Sequence, residues 1–105
     1  PPEAASSLVT QGAAYINTHF AQEIHLDQLA QAFHVSKYHL SHEFQRVVGT
    51  SPYRYLMLKR LQKAREQILD GTPPGKAALN CGFHDYANFF RCFVHPKDLK
   101  RKNPE

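Results

Sequence analysis

One stretch, residues 52–69, constrains this chain more than any other because it predicts a single long and uninterrupted helix. Its sequence, PYRYLMLKRLQKAREQIL, has no glycine and no proline after the first position, and strong helix formers dominate it. Proline suits a first helical turn, Ser51 before it can cap that turn, and Gly71 can end the helix. At ~1.5 Å per residue the helix spans roughly 27 Å, so it can serve as a rod between two units.

The two sides of this helix differ in chemistry. At about 100° per residue, the predicted apolar side consists of Met57, Leu58, Leu61, Ala64 and Ile68. The basic residues fall largely on the opposite side, where they meet either solvent or backbone phosphates; they are Lys59, Arg60 and Lys63. A helix with one apolar side needs partners to pack against, so the neighbouring segments decide its role.

A helix-turn-helix pattern lies immediately before the rod. In residues 26–33 the apolar side chains recur at helical spacing, at Leu26, Leu29, Ala30 and Phe33. His34 belongs to the residue types that tolerate a positive φ, which tight turns between helices often need, and Ser36 is a favourable N-cap. The next predicted helix covers residues 37–48 and ends at Gly49.

The rest of the chain adds shorter predicted helices. Apolar residues at helical spacing predict a first helix over residues 7–20, after a frayed start. Beyond the rod, residues 72–75 predict a turn, residues 76–81 a short helix, and residues 86–94 a last helix that Asp85 can cap. Strand-length alternation is missing from the sequence, so we predict an all-α fold of about seven helices.

This order of elements divides the chain into three parts. We predict a first helix-turn-helix subdomain over residues 1–50, a linking helix over residues 51–70, and a second subdomain with a basic tail over residues 71–105. The cations of the tail, which serve either solubility or phosphate contact, are Lys97, Lys100, Arg101 and Lys102. A rod of this length can hold two reading heads about one DNA turn apart, ~34 Å.

Composition narrows the function classes. The chain has 105 residues, a formal net charge of +4 and a pI of about 9.3, a balance that favours polyanionic partners without requiring nucleic acid. A mean hydropathy of −0.52 and the lack of a long apolar run argue against a membrane partner, and no secretory leader is visible. Because Cys81 and Cys92 have neither metal-site nor disulfide-framework spacing, we predict reduced core thiols and a cytoplasmic location.

The helix at residues 37–48 has one polar side suited to reading DNA. That side consists of Tyr38, Ser41, His42 and Gln45, and the opposite side, expected to pack, consists of Leu40, Phe44 and Val47. Hydroxyl, imidazole and amide groups can meet base edges in a major groove, while Lys37 and Arg46 at the flanks suit phosphates. The solvated side of an ordinary bundle helix fits the same pattern about equally well.

The last predicted helix is divided in the same way. Its aromatic side consists of Tyr86, Phe89, Phe90 and Phe93, and the helical spacing favours burial of that side over base stacking. Asn88 and Arg91 lie across from it, with Ala87 at the edge. Since Asn can pair bidentately with adenine and Arg with guanine, this helix is a second candidate for reading bases.

Taken together, these residues resemble the DNA-binding module of the AraC/XylS family of bacterial transcription regulators. The likeness runs from about Ile16 to Phe93. Its most specific signal is the spacing Ser-x-x-x-Leu-x-x-x-Phe-x-x-x-x-Gly-x-Ser-Pro-x-x-Tyr, which begins at Ser36 and ends at Tyr55. The pair of Gly82 and a following Phe ahead of the aromatic-rich helix is a second signal.

The resemblance implies two helix-turn-helix units joined by one long helix, each placing a recognition helix in adjacent major-groove segments on one face of the DNA. The base contacts it implies are Tyr38, Ser41, His42, Ala87, Asn88 and Arg91. Phosphate contacts are expected at Lys37, Gln45, Arg46, Lys59 and Arg60. Members usually activate transcription, often by touching RNA polymerase, and most carry a separate sensing or dimerisation domain, which is expected outside this chain.

Two departures from the family pattern concern the second unit. Pro74 and Ala77 stand where bulky aliphatic residues are usual, which predicts a short and poorly anchored first helix in that unit. After Phe93 the usual basic end of the helix is shortened, because only Val94 and one further residue separate Phe93 from Pro96. The second recognition helix is therefore expected to be shorter than in the family.

Two other function classes compete with DNA reading. A degenerate helix-turn-helix bundle would contact protein instead, and a lack of DNA affinity at low salt would indicate it. A metal enzyme would need a third ligand beside His39 and His42, and neither that ligand nor a catalytic motif has suggestive spacing. We therefore predict a sequence-specific DNA-binding module that binds double-stranded DNA, without enzymatic activity, metal or cofactor.

Overall fold

The fold is built entirely from helices across the residues that the structure describes. The computed structural model describes residues 2–99, leaving aside the side chains of residues 2–6 and 98. The elements are α1 (Pro2–His19), α2 (Leu26–Ala32), α3 (Lys37–Val48), α4 (Pro52–Leu69), α5 (Pro74–Asn80), α6 (Tyr86–Val94) and a 3₁₀ turn (Pro96–Asp98). The predicted all-α class is confirmed. The predicted tail cations Lys100, Arg101 and Lys102 lie outside the described residues.

Side-chain caps fix the starts of three helices where the sequence predicted them. The hydroxyls of Ser36 and Ser51 each accept a hydrogen bond from the amide three residues ahead, at 3.0 and 3.2 Å. The Asp85 carboxylate accepts from the amide of Ala87 at 3.0 Å. These bonds satisfy amides that have no partner within the helix, so α3, α4 and α6 begin where the local sequence dictates.

Two predicted helix starts are wrong in the same direction. Helix α1 begins at Pro2 instead of near residue 7, and α5 begins at Pro74 instead of residue 76. Proline has a φ close to the helical value and its missing amide costs nothing in a first turn, so both prolines start helices that were predicted as irregular chain.

Two hydrophobic cores lie along an elongated molecule of 45 × 23 × 20 Å. The first core joins α1, α2, α3 and the start of α4; its buried residues are Val9, Ile16, Leu29, Ala30, Leu40, Phe44 and Leu56. The second joins α4, α5 and α6; its buried residues are Met57, Leu61, Ala64, Ala77, Ala78, Cys81, Phe83, Phe89, Cys92 and Leu99. Helix α4 contributes to both cores and therefore connects the two helix-turn-helix units.

The apolar side of α4 is not a single stripe. Leu58, predicted to pack, is 36 % exposed, whereas Leu56 is buried in the first core. Met57 and Leu61 are buried in the second core. Because α4 packs against two cores, it buries residues on two of its sides. The prediction assumed a single packing side and assigned Leu58 to it, which is wrong.

The second unit is anchored better than its sequence predicts. Helix α5 is short, at 7 residues, but Ala77 and Ala78 are fully buried against α4, so the expectation of poor anchoring is wrong. Small side chains allow two helix backbones to approach closely. Beyond α6 the chain folds back: Leu99 inserts into the second core, and Arg54 Nη1 donates to the Leu99 carbonyl at 2.7 Å.

Both cysteines lie in this second core as free thiols, which confirms the prediction of core thiols. Burial raises the pKa of the Cys81 thiol, so the thiol stays protonated near neutral pH. Across residues 2–99, the helices are too short or too polar to cross a membrane.

Gly12 provides a test of the first core. An added Cβ at Gly12 would lie 3.1 Å from Phe44 Cε2, and the Phe44 side chain is fully buried. Alanine gains up to about 1 kcal/mol of helix propensity, but overpacking costs about 1–3 kcal/mol. We expect Gly12→Ala to lower the free energy of unfolding by about 1 kcal/mol, as measured by urea denaturation.

Gly75→Ala is the matched control, because Gly75 is also helical and an added Cβ there meets nothing within 4 Å. This substitution is expected to raise the free energy of unfolding by up to about 1 kcal/mol. Equal stabilisation by both substitutions would contradict the tight contact between α1 and the Phe44 ring.

Candidate nucleic-acid interface

The first helix-turn-helix unit depends on a tight turn between α2 and α3. His34 adopts a φ of 61°, as the sequence predicted, and is the only non-glycine residue with positive φ among residues 2–99. The Val35 amide donates to the Ala30 carbonyl at 3.0 Å, which closes the turn onto the end of α2. The Ser36 cap then starts α3. This local geometry sets the angle at which α3 leaves the unit.

Helix α3 turns one side into the first core and the opposite side outward. Leu40 and Phe44 are fully buried. On the outer side Tyr38 is 77 % exposed and His42 is also exposed, with their rings stacked at 6.2 Å between centroids; Ser41 is half-buried beside them. The predicted polar side therefore faces outward. Val47, predicted to pack, is exposed instead, since the packing side ends at Phe44 and the last turn of α3 projects beyond the core.

Ion pairs and hydrogen bonds hold the side chains that flank this surface. Lys37 Nζ lies 3.8 Å from the Asp27 carboxylate on α2. Arg46 donates through Nη2 and Nε to one carboxylate oxygen of Glu43, at 2.7 and 3.1 Å. That hydrogen bond holds the pKa of Glu43 below its ordinary value and raises the pKa of Arg46. The two cations are thus positioned before any ligand arrives.

Gln45 also belongs to this flank. Its amide nitrogen donates to the Gly49 carbonyl at 3.0 Å, and the residue is exposed. This bond lies at the C-terminal end of α3, where helix carbonyls need partners, so Gln45 helps to end the helix.

In the second unit, the polar residues of α6 form a pair. Arg91 Nη2 donates to Asn88 Oδ1 at 2.6 Å. Arg91 and Ala87 are exposed, and Asn88 is half-buried. The structure therefore brings the three predicted residues of this helix together on one exposed side.

The aromatic side of α6 is only partly buried, contrary to the prediction. Phe89 packs edge-on against Phe83 at 5.1 Å and stacks with Phe93 at 5.2 Å. Tyr86 and Phe90 are 50 % and 54 % exposed and stack on each other at 6.3 Å between centroids. The exposed side of α6 therefore includes an aromatic surface beside its polar residues.

The position of Cys92 in the sequence indicates which side of α6 is buried, because free cysteines are usually buried. At about 100° per residue, Phe89, Cys92 and Phe93 define a side that excludes Phe90. Cys92 is buried, so it belongs to the packing side of α6, although the predicted packing side contained only aromatic residues. Phe90 instead shares the outer side with Arg91.

The basic residues of α4 have different surroundings. Lys63 lies 3.5 Å from Glu66 on the same helix, and Lys59 is half-buried. Arg60 donates from Nε to the Phe20 carbonyl at 2.6 Å and from Nη2 to the Gln22 carbonyl at 2.8 Å. Burial lowers the pKa of Arg60, although the guanidinium stays charged. Two of the five guanidinium N–H groups of Arg60 are thus directed into the protein.

Known proteins match this arrangement in sequence and in fold. The consensus of a family described as "Helix-turn-helix domain" matches residues 29–96. The HTH-type transcriptional activator RhaS of Escherichia coli O139:H28 is 31 % identical over 94 residues, which cover 84 % of this chain and 34 % of RhaS. RhaS of Klebsiella pneumoniae (strain 342) is 31 % identical over 99 residues, covering 89 % of this chain and 36 % of that protein.

A solved structure agrees with these matches. The crystal structure of a probable AraC family transcriptional regulator from Rhodopseudomonas palustris CGA009 superimposes with a TM-score of 0.76 at 28 % identity, covering 90 % of each chain. Against the RhaS proteins, by contrast, this chain spans only about a third of their length.

The Glu43–Arg46 pair predicts how the free energy of unfolding depends on pH. The pKa of Glu43 is lowered in the folded state, so the pair stabilises the fold above the ordinary value of 4.5 and loses this effect as pH falls through the folded pKa. We expect Arg46→Met to lower the free energy of unfolding at pH 7, to lose this effect as the pH falls through the folded pKa of Glu43, and to raise that pKa in an NMR titration.

Arg65→Met serves as the control for this test, because Arg65 is an exposed cation on α4. It is expected to leave the Glu43 titration unchanged. An Arg46→Met titration that coincides with the wild-type curve would contradict the assigned cause of the shift.

Proposed function

Since this chain belongs to the AraC/XylS family of transcription regulators and comprises its helix-turn-helix DNA-binding domain, we propose that it reads two adjacent major-groove segments, one with α3 and one with α6. Sequence-specific DNA binding is the function of this domain. The proposal concerns which residues contact the DNA and which groove segment each unit binds.

The exposed polar side of α3 carries the proposal. This side lies opposite a fully buried one, on the second helix of a helix-turn-helix unit, which is the helix that enters the groove in such units. We assign base contacts to Tyr38, Ser41 and His42. The Tyr38–His42 stack limits the rotamers of both rings, so less conformational entropy is lost on binding.

For α6 we propose base contacts by Ala87, Asn88 and Arg91. Arginine donates bidentately to guanine, and an alanine methyl suits the thymine methyl group. The internal bond to Asn88 directs the Arg91 guanidinium before binding. The exposed ring of Phe90 on the same side adds a further apolar contact to thymine methyl groups or sugars.

Phosphate contacts are proposed for the side chains that flank these surfaces, namely Lys37, Gln45, Arg46, Lys59 and Arg60. Such contacts orient the protein on the duplex and carry no sequence information. Arg60 is constrained within this set, because Nε and Nη2 already donate to backbone carbonyls, which leaves the two protons of Nη1 and one of Nη2 to reach a phosphate. Lys59 is the stronger candidate on α4.

We propose that residues 1–50 form the first unit, residues 51–70 the linking helix, and residues 71–105 the second unit with its basic tail. Because the RhaS relatives are named transcriptional activators and are more than twice as long as this chain, we propose that this domain works with a sensing or dimerisation domain and activates transcription in the cytoplasm by contacting RNA polymerase. Enzymatic activity forms no part of the proposed function.

Selection of bound sites from a random DNA pool tests this two-headed model, in which α3 and α6 each read one block of bases. Two separated blocks of preferred bases are expected, one for each recognition helix. A single block would overturn the role of one helix. A lack of DNA affinity at low salt would instead favour a protein-binding bundle, since groove binding through several phosphates makes log K fall steeply with log salt.

His42→Ala and Lys59→Ala separate base reading from phosphate contact. Loss of a base contact at His42 is expected to weaken the specific site by about 1–3 kcal/mol and to relax the preference at one base pair. Lys59→Ala should weaken all sequences alike and make the salt slope shallower by about 1. Both effects are measured by fluorescence anisotropy on specific and random duplexes. Equal losses on both duplexes for His42→Ala would contradict the base contact.

A further inference from the structure

The C-terminal end of α1 meets both cores at one residue. The Phe20 side chain packs against the first core and also against the second. Its carbonyl lies just past the end of α1, where carbonyls lack partners within the helix. From α4, Arg60 supplies donors to this end of α1, with Nε on the Phe20 carbonyl at 2.6 Å and Nη2 on the Gln22 carbonyl at 2.8 Å.

The second unit closes on the same contact through Gly82, in the turn between α5 and α6. Gly82 is buried with a φ of 101°. A Cβ added there would lie 2.8 Å from Arg60 Nε and 3.1 Å from the Phe20 carbonyl oxygen. The end of α1, the middle of α4 and the turn of the second unit therefore meet around one guanidinium.

We propose that Arg60 is a positioning residue that holds the two helix-turn-helix units in one relative orientation and so sets the spacing of base blocks that the domain accepts. The inference rests on the proposed two-headed binding. A planar guanidinium donates in fixed directions, so it constrains orientation as well as distance. One additional base pair between blocks moves the second block by ~3.4 Å and turns it by roughly 35°, which a rigid junction cannot follow.

Binding to duplexes of altered spacing tests this role. The two selected blocks are placed at the selected spacing, one base pair closer and one base pair further apart, and one duplex carries a single block. The wild-type chain is expected to lose roughly tenfold or more in affinity at the altered spacings. Arg60→Met, which keeps the aliphatic stem and removes the donors, should reduce that loss to within about threefold; a lost phosphate contact would weaken every duplex alike, the single-block duplex included, and leave this ratio between spacings unchanged.

Arg65→Met is the control, since it removes an exposed arginine from the same helix. Its spacing profile should match that of the wild-type chain. An Arg60→Met profile as sharp as the wild-type profile would overturn the role of Arg60 and leave two-headed binding intact. Selection of a single block by the wild-type chain would overturn two-headed binding, and the spacing role with it.

A distance measurement tests the same junction without DNA. Spin labels at Gln31→Cys on α2 and Lys76→Cys on α5 occupy exposed positions, and the native thiols Cys81 and Cys92 are buried. A narrow distance distribution is expected for the parent chain and a broad one with Arg60→Met. If that variant does not fold, Arg60→Lys replaces it, because lysine keeps the charge but lacks the planar guanidinium. A distance distribution for Arg60→Lys as narrow as that of the parent chain would overturn the proposal.

Discussion

One helix that must be buried by two cores at once is the constraint on which the rest of this structure depends. Leu56 faces the first core, and Met57 and Leu61 face the second, so α4 cannot rotate without exposing one set. Each helix-turn-helix unit is too small to bury its own apolar surface alone, and α4 supplies the missing side to both. The orientation of the two candidate recognition helices is therefore coupled through a single packed element.

Polar contacts then arrange the outer surface. Arg46 is held by Glu43, Lys37 by Asp27, and Arg91 by Asn88, each through a neighbour on the same or the adjacent helix. A surface pair such as Lys37–Asp27 adds little stability, whereas Glu43 is buried and depends more on its partner. These pairs restrict long flexible side chains before a ligand arrives, which lowers the entropy lost when such side chains engage phosphates or bases.

The sequence predicted the elements of the candidate site better than its details. The boundaries of α3, α4 and α6, the positive φ of His34 and the outward side of α3 all follow from caps, glycines and helical periodicity. The errors occur at prolines that start helices, at the end of α3, on α4, which packs against both cores, and on the packing side of α6. The inward-directed Arg60 could not be inferred, because the carbonyls that accept its hydrogen bonds lie 40 and 38 positions away in the chain.

The sequence by itself determined where α3, α4 and α6 start, because their side-chain caps bond to backbone amides two or three residues ahead. Only the tertiary structure decided which sides of α4 are buried and where Arg60 donates its hydrogen bonds. The physical reason is that burial depends on which elements approach one another, and in this fold Phe20 and Gly82, more than 60 positions apart along the chain, meet at Arg60.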